Sequence, residues 1–111
     1  MKTKILALLT VLIAIISLTG CQTVDVTKTA KGFHAPTNPN DIEIFMTRPD
    51  RPYEELGTVI ARGFASSDTA VMHNAIRAKA APLGANGVIL TGVGIDVHNR
   101  QYAIGVAIVW K

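Results

Sequence analysis

Cysteine and aromatic residues are scarce in this sequence. Its 111 residues include one cysteine, Cys21, and one tryptophan, Trp110, and aromatic side chains make up 5% of the chain. A lone cysteine excludes a disulfide within the chain and any cysteine-rich metal cluster. A folded domain must therefore be stabilised mainly by aliphatic packing.

Excess charge is also lacking once the amino terminus is set apart. The formal net charge is +3, but Lys2 and Lys4 precede a largely apolar run. Residues 21–111 then hold nine Lys and Arg against eight Asp and Glu, a net charge of +1. This balance gives little attraction for a phosphate backbone, so we expect no nucleic-acid partner.

Recognisable catalytic patterns are missing as well. The chain has no G-x-S-x-G turn, and Gly92-Val93-Gly94 continues into Ile rather than into a phosphate-binding helix. Glu54 and Glu55 are adjacent, so on a strand they would point to opposite faces. Ser66 and Ser67 stand where a helix cap is expected. We therefore expect no enzyme activity and no cofactor.

What the sequence does have is an export signal. Lys2 and Lys4 are followed by apolar residues at 5–16 and then by Leu18-Thr19-Gly20-Cys21. A basic start, an apolar run of about a dozen residues and then small residues are typical of a secretory signal peptide. The apolar run is too short to span a hydrocarbon core of about 30 Å.

Leu18-Thr19-Gly20-Cys21 resembles the lipobox of bacterial lipoproteins. In that family the chain is cut before the cysteine, and the cysteine sulfur and new amine are acylated. The resemblance implies a signal peptide at 1–20 and a membrane anchor on Cys21, because two or more acyl chains hold stably in a bilayer. Gln22 in place of Asp implies the periplasmic side of the outer membrane rather than the inner. Two alternatives remain open: a chance cysteine after an ordinary signal, and an uncleaved anchor helix.

The exported chain divides into two parts by composition. Residues 21–40 are rich in Thr, Asn, Lys and Pro without a sustained apolar period, which predicts a flexible tether after the lipidated cysteine. Alternation at 23–27 leaves a first strand as the alternative. Residues 41–111 carry regular apolar patterns and are predicted to form one small domain.

The patterns in 41–111 predict an α+β fold in the order β-β-α-β-β. Alternating or β-branched residues predict four strands, at 42–46, 56–64, 88–97 and 102–110. Helical spacing then predicts one helix, with Met72, Ile76, Ala80 and Leu83 on its buried side. Pro82 is expected to end this helix and Gly84 to cap it. We expect a mostly antiparallel sheet with the helix on one face.

The last strand alternates large and small residues. The large set is Tyr102, Ile104, Val106, Ile108 and Trp110, and the small set is Ala103, Gly105, Ala107 and Val109. The large set is expected to face the helix and form the core. The small set, extended by Gly92 and Gly94, is expected to form an open floor on which another chain could pack closely.

Two segments carry a resemblance for the folded domain. They are Tyr53-Glu54-Glu55-Leu56-Gly57-Thr58-Val59 and the helix end from Lys79 through Leu83-Gly84-Ala85-Asn86-Gly87 to Leu90. These are similar to the folded domain of the Rcs stress-sensor lipoproteins of the outer membrane, and to small YbjQ-like domains. The resemblance implies an envelope setting, although this domain lacks the cysteines that staple the Rcs sensors.

Protein contact is the role that the remaining features favour. The segment 48–55 combines two prolines, charge and an aromatic ring, so Arg48, Arg51 and Tyr53 are candidate partner-binding residues. Arg100, in the predicted loop before the last strand, is a fourth. The predicted function is a lipid-anchored, non-enzymatic envelope protein that binds another envelope protein in an assembly or stress role, with its oligomeric state undetermined.

A metal-binding periplasmic domain is the alternative function. The histidines are His34, His73 and His98, and Asp96-x-His98 is the one closely spaced ligand pair. A structural zinc site needs about four ligands, usually as two such pairs. No metal site is therefore predicted.

Replacing Cys21 tests the anchor. Mature protein should carry two or three acyl chains by mass spectrometry and should require detergent for release from membranes, because each buried CH₂ contributes about 0.8 kcal/mol. Cys21→Ser should lack these chains and leave the membrane fraction. An unmodified thiol in the wild-type protein would contradict the prediction.

Overall fold

The structure, a computed structural model, describes residues 22–111 and shows one α+β domain. Within this range the elements are strands β1 Thr23–Lys28, β2 Glu43–Phe45, β3 Tyr53–Ala65, β4 Gly87–Ile95 and β5 Arg100–Trp110, helix α1 Thr69–Ala80, and short 3-10 turns at Pro39–Asp41 and Ala81–Leu83. The five strands form one sheet in the order β1-β3-β5-β4-β2. Neighbours are antiparallel except β2 and β4, which run parallel. The predicted α+β class is confirmed, with one strand more than expected.

Helix α1 forms where the spacing of apolar residues predicts it. Met72, Ile76 and Ala80 are buried at intervals of four residues. The chain then tightens into the 3-10 turn that contains Pro82, and Gly84 follows with φ of +84°. None of the helices in residues 22–111 is long and apolar enough to cross a membrane.

Strand β1 occupies part of the segment predicted to be a tether. Its six residues pair antiparallel with β3, from Thr23 beside Arg62 to Lys28 beside Gly57. Val24 and Val26 pack against the core, while the residues between them point to the other face. The alternation at 23–27, which indicated a strand, is therefore a better guide here than the polar composition, which indicated a tether. Pairing also satisfies the backbone hydrogen-bonding groups along one side of β3.

The chain after β1 is held against the domain rather than free of it. The backbone N–H groups of Thr29 and Ala30 both donate to the carbonyl of Leu56. Further on, Thr37 donates its N–H to Ala81 O and its hydroxyl to Ala85 O. The flexible tether predicted for 21–40 is therefore wrong from residue 23 onward, and folded structure begins there rather than at 41. The signal peptide at 1–20 and Cys21 lie outside the described residues.

The small side chains of β5 face the helix, which reverses the predicted orientation of this strand. Ala103 and Ala107 are fully buried and belong to the cluster that packs between sheet and helix. Ile104, on the alternate face, is 38% exposed. Gly92 pairs with Ile104 and Gly94 with Tyr102. These glycines therefore lie on the face of the large residues, and no small-residue floor forms.

The reason for this orientation is the size of the neighbouring side chains. The space under the helix is filled by Leu56 and Phe64 of β3 together with Met72 and Ile76 of α1, all buried. Protein interiors are close-packed, so the central strand between such residues must contribute little volume. A Cβ added to Gly105 would lie 2.8 Å from Val88 Cγ1 and 3.0 Å from Ile89 O. The neighbouring residues of β4 thus leave no room for a side chain at position 105, and Ala103 and Ala107 fit the filled core between sheet and helix.

Enlarging each face of the sheet in turn tests this orientation. Ala107→Leu should lower the free energy of unfolding by about 1–3 kcal/mol, because it overpacks a filled core. Gly92→Ala is the matched control, since its new Cβ would meet Ile104 at 3.9 Å, an ordinary contact. Chemical denaturation measures both variants. If Ala107→Leu left the free energy of unfolding unchanged, residue 107 would have to lie outside the packed core.

Candidate partner-binding surface

The face of the sheet opposite α1 carries the large side chains of β5 and is called the open face below. In register across it, Ile60 of β3 lies beside Ile104, and Ile89 of β4 lies beside Val106. Tyr102 lies beside Gly94, where an added Cβ would fall 2.6 Å from the phenol oxygen. The glycine therefore makes room for the Tyr102 ring to lean across β4. Neighbouring apolar side chains shield one another in this way and keep much of the face half-buried.

The loop at 46–52, called the crossing loop below, covers one end of the open face. It joins β2 at one edge of the sheet to β3, with β5 and β4 between them in the sheet order. Ile108 is fully buried although it points away from the helix. Residues 46–48 of the loop line a cavity with the nearby open-face side chains Ile89 and Val106. The backbone N–H of Lys111 donates to Pro52 O at 3.1 Å and ties the loop to the end of β5.

Aromatic contacts fix the crossing loop at Trp110. The guanidinium carbon of Arg51 lies 4.5 Å from the centroid of the Trp110 ring. Phe45 meets the same residue in an edge-to-face arrangement, with ring centroids 5.7 Å apart and an interplanar angle of 78°. A guanidinium over an indole face is attracted by the ring quadrupole. Arg51 therefore has a structural partner within the domain, and its charge remains at the surface.

The structure brings three of the four predicted contact residues to the crossing loop. Arg48 and Tyr53 line an open cavity of about 230 Å³ with Glu55 and other residues of the sheet. Tyr53 also pairs in register with Trp110, beside Arg51. The fourth residue does not join them.

Arg100 lies at the far end of the same strand as Trp110. The two are the first and last of the eleven residues of β5, a span of about 34 Å at the usual rise per residue. Arg100 pairs with Ala65, next to the turn between β4 and β5. The prediction that Arg100 contributes to the same surface as the loop is therefore not supported by its position.

A second depression on the open face has no counterpart in the sequence analysis. Its volume is about 340 Å³, and its lining consists of Ile60, Arg62, Asp96, Tyr102 and Ile104. The alternation in β5 singled out Tyr102 and Ile104, but the sequence analysis assigned them to the core under the helix rather than to the open face. Arg62 is exposed, and its guanidinium lies 4.0 Å from the carboxylate of Asp25 on β1. The depression thus joins an apolar floor to a charged rim.

A polar groove at the other edge of the sheet has a structural explanation. It lies between β2 and α1 and has a volume of about 420 Å³. Arg77 crosses it, donating through Nε to Ile42 O at 2.9 Å and through Nη1 to Asn74 Oδ1 at 2.9 Å. These bonds hold the short edge strand against the helix. Arg77 is therefore engaged within the fold rather than available to a ligand.

The Asp96 and His98 pair serves the turn between β4 and β5. One carboxylate oxygen of Asp96 accepts the backbone N–H of His98 at 2.8 Å and that of Arg100 at 3.0 Å. The Arg100 N–H is the main cause that lowers the pKa of Asp96 below its ordinary value. Among residues 22–111, no three side chains of the metal-ligating types lie close enough to hold an ion.

The other two histidines stand apart from this pair. His34 lies against Glu54, with 3.7 Å between Nε2 and Oε2. His73 is on α1, where partial burial lowers its pKa and the charge of Arg77 lowers it further. Neither residue shares a site with Asp96.

The motif residues after the helix also have structural roles. The Oδ1 of Asn86 accepts the backbone N–H of Trp110 at 3.0 Å, and the backbone N–H of Asn86 donates to Ile108 O at 2.8 Å. A side chain at Gly84 would collide with His34, and one at Gly87 with the Phe45 ring. The pattern from Leu83 to Gly87 thus positions β4 against β5 and β2.

Together the described residues define a small α+β domain with one helix on a five-stranded mixed sheet. A solved structure with this fold is that of FvfA, a Francisella virulence factor, with a TM-score of 0.62 and 13% sequence identity. The match covers 78% of this chain and 97% of that one. At this identity the likeness concerns the fold alone. No protein-family model matches the chain, and no curated protein matches it.

Removing the guanidinium of Arg51 tests how the crossing loop is held. Arg51→Ala should lower the free energy of unfolding by about 0.5–1 kcal/mol and alter the emission of Trp110, because the contact over the ring is lost. Trp110 is the sole tryptophan, so fluorescence reports this site alone. Arg62→Ala, at the other end of the sheet, is the control and should leave the emission unchanged. Unaltered emission in Arg51→Ala would mean that the guanidinium does not rest on the ring.

Proposed function

We propose that this chain is a lipid-anchored envelope protein of bacteria that works by contacting another protein through the open face. In this proposal residues 1–20 are a signal peptide, Cys21 carries the lipid, and the domain lies on the periplasmic side. Gln22 favours the outer membrane over the inner. The role is assembly or stress sensing, and it involves no catalysis and no cofactor.

The observation that carries the contact role is the composition of the open face. Tyr102 and Ile104 leave apolar surface at its centre, and Arg62 and Asp25 provide charges at the edge. Protein interfaces commonly combine an apolar, aromatic centre with a polar rim. The residues that dominate the binding energy of protein interfaces are enriched in tryptophan, tyrosine and arginine.

The crossing loop extends this surface toward Trp110. Arg48 and Arg51 are exposed there, and Tyr53 is half-buried beside them. Because Lys111 and Trp110 fix the loop at one end, a partner would meet a largely preformed surface. Preformed surfaces lose less conformational entropy on binding.

The resemblance of residues 53–90 to the Rcs sensors and YbjQ-like domains supports the same setting. The matched residues, such as Gly84 and Asn86, maintain the fold, so the resemblance is one of structure and does not by itself indicate an activity. Cys21 is the single cysteine of the chain, and the disulfides of the Rcs sensors have no equivalent. The proposal therefore adopts the envelope location that the resemblance implies, but it does not adopt the sensing mechanism of the Rcs proteins.

A charge placed at the centre of the open face tests the contact role. Ile104→Glu should weaken crosslinking to a partner in intact cells about thirtyfold, the loss expected when a central contact worth about 2 kcal/mol is removed. Phe33→Glu is the control, because Phe33 is exposed and the next residue, His34, packs beside Gly84 at the end of the helix. Both variants should remain in the membrane fraction. Identical crosslinked species from Ile104→Glu and the wild type would contradict the proposal.

A further inference from the structure

The end of the domain at the β4–β5 turn exposes an unusual number of large apolar side chains. Val97 is 94% exposed, Ile95 59% and Val93 52%. Val71 joins them from the first turns of α1, where Thr69 bonds to Gln101 of β5. These four are among the most exposed large apolar residues that the structure describes. We call this region the turn end.

Val97 is exposed at the position where a turn normally has a polar residue or a proline. The turn is held by Asp96, whose carboxylate accepts two backbone N–H groups, and by Asn99 with φ of +59°. Such turns favour Pro, Asn, Asp and Gly because of their backbone preferences. A valine gains nothing there from packing within the domain. Its side chain is therefore free to contact a surface outside the domain.

The turn end is also where the chain enters the domain. Thr23, the first residue of β1, pairs with Arg62, and β3 continues from there to Ala65 beside Arg100. Thr23 follows Cys21 by two residues in the sequence, and two residues of chain reach at most about 7 Å. A lipid on Cys21 would thus hold this end of the sheet at the bilayer surface.

The charges of the turn end offset one another. Arg62 and Arg100 are accompanied by Asp25, Asp68 and Asp96, and Arg62 lies 4.0 Å from Asp25. A surface that attracted anionic headgroups would need an excess of lysine and arginine. A membrane contact through this region would then be mainly apolar and insensitive to headgroup charge.

From these observations we infer that the turn end rests on the lipid surface, with Val97 and Ile95 entering the interfacial region beside the anchor. The inference depends on the proposed lipidation of Cys21. It gives the domain a fixed orientation, with the strands rising away from the bilayer. Apolar side chains commonly hold peripheral proteins in the interfacial region of a bilayer.

A depth measurement on the lipidated chain tests the inference. Val97→Cys introduces a unique thiol, because acylation removes that of Cys21, and an environment-sensitive fluorophore is attached to it. The protein is reconstituted into vesicles of phosphatidylethanolamine and phosphatidylglycerol that contain a spin-labelled lipid. Phe33→Cys, 82% exposed on the chain that follows the far end of β1, is the matched control.

The label at 97 should shift to the blue and be quenched several-fold more strongly than the label at 33, at low and high salt alike. Equal quenching of the two labels, with the protein floating with the vesicles, would overturn the inference and leave the anchor intact. Protein that fails to float would overturn the lipidation itself. If the emission of the label at 97 shifted to the blue in native membranes but not in pure lipid vesicles, the turn end would contact a protein rather than the lipid surface. That result would refute the inference.

Discussion

The filled core between helix α1 and the sheet is the constraint on which the rest of the structure depends. It requires a central strand with little volume on one side, which Ala103, Gly105 and Ala107 supply. Since strand residues alternate between faces, the large residues of β5 are then forced onto the open face. The domain must cover or use that second apolar surface. It covers one half with the crossing loop and leaves the other half partly exposed.

The division of the open face explains why two kinds of residue occur there. At the end of the face that carries the crossing loop, Ile108 is completely buried, and Trp110 contacts Phe45 and Arg51. Beyond the loop, Ile104 remains partly exposed next to Tyr102. A domain that needed only stability would gain by extending its cover over these residues, because apolar burial stabilises. The uncovered half is therefore the part of the face that a partner could occupy.

Features set by neighbours in sequence could be predicted, and features set by distant contacts could not. The spacing of Met72 and Ile76 defined the helix, and Pro82 and Gly84 defined its end, because each acts within a few residues. The orientation of β5 depended on Phe64 and Leu56, which are far away in the chain. The same holds for β1, whose polar composition suggested a tether until β3 offered a partner strand.

The candidate surface shows the same limit. The charged loop at 48–55 was recognised by its composition, and Arg48, Arg51 and Tyr53 indeed lie together. Arg100 resembled them in exposure and charge, yet the length of β5 places it at the opposite end of the sheet. Separation along a strand is fixed geometry, so these residues serve two different regions.

That separation connects the two proposals. If the turn end meets the bilayer, Arg100 belongs to the membrane-facing region and Arg51 to the region farthest from it. The strands between them then stand away from the membrane, and the open face looks sideways along the bilayer surface. A face in that direction is accessible to a neighbour anchored in the same membrane, because both proteins diffuse in the same layer.

Because β1 begins two residues after Cys21, the link between anchor and sheet is short. The strand found in place of the predicted tether would therefore restrict how far the domain can turn. The orientation of the open face would thus follow from the edge strand, and partner binding would depend on β1 as much as on the residues that make the contact.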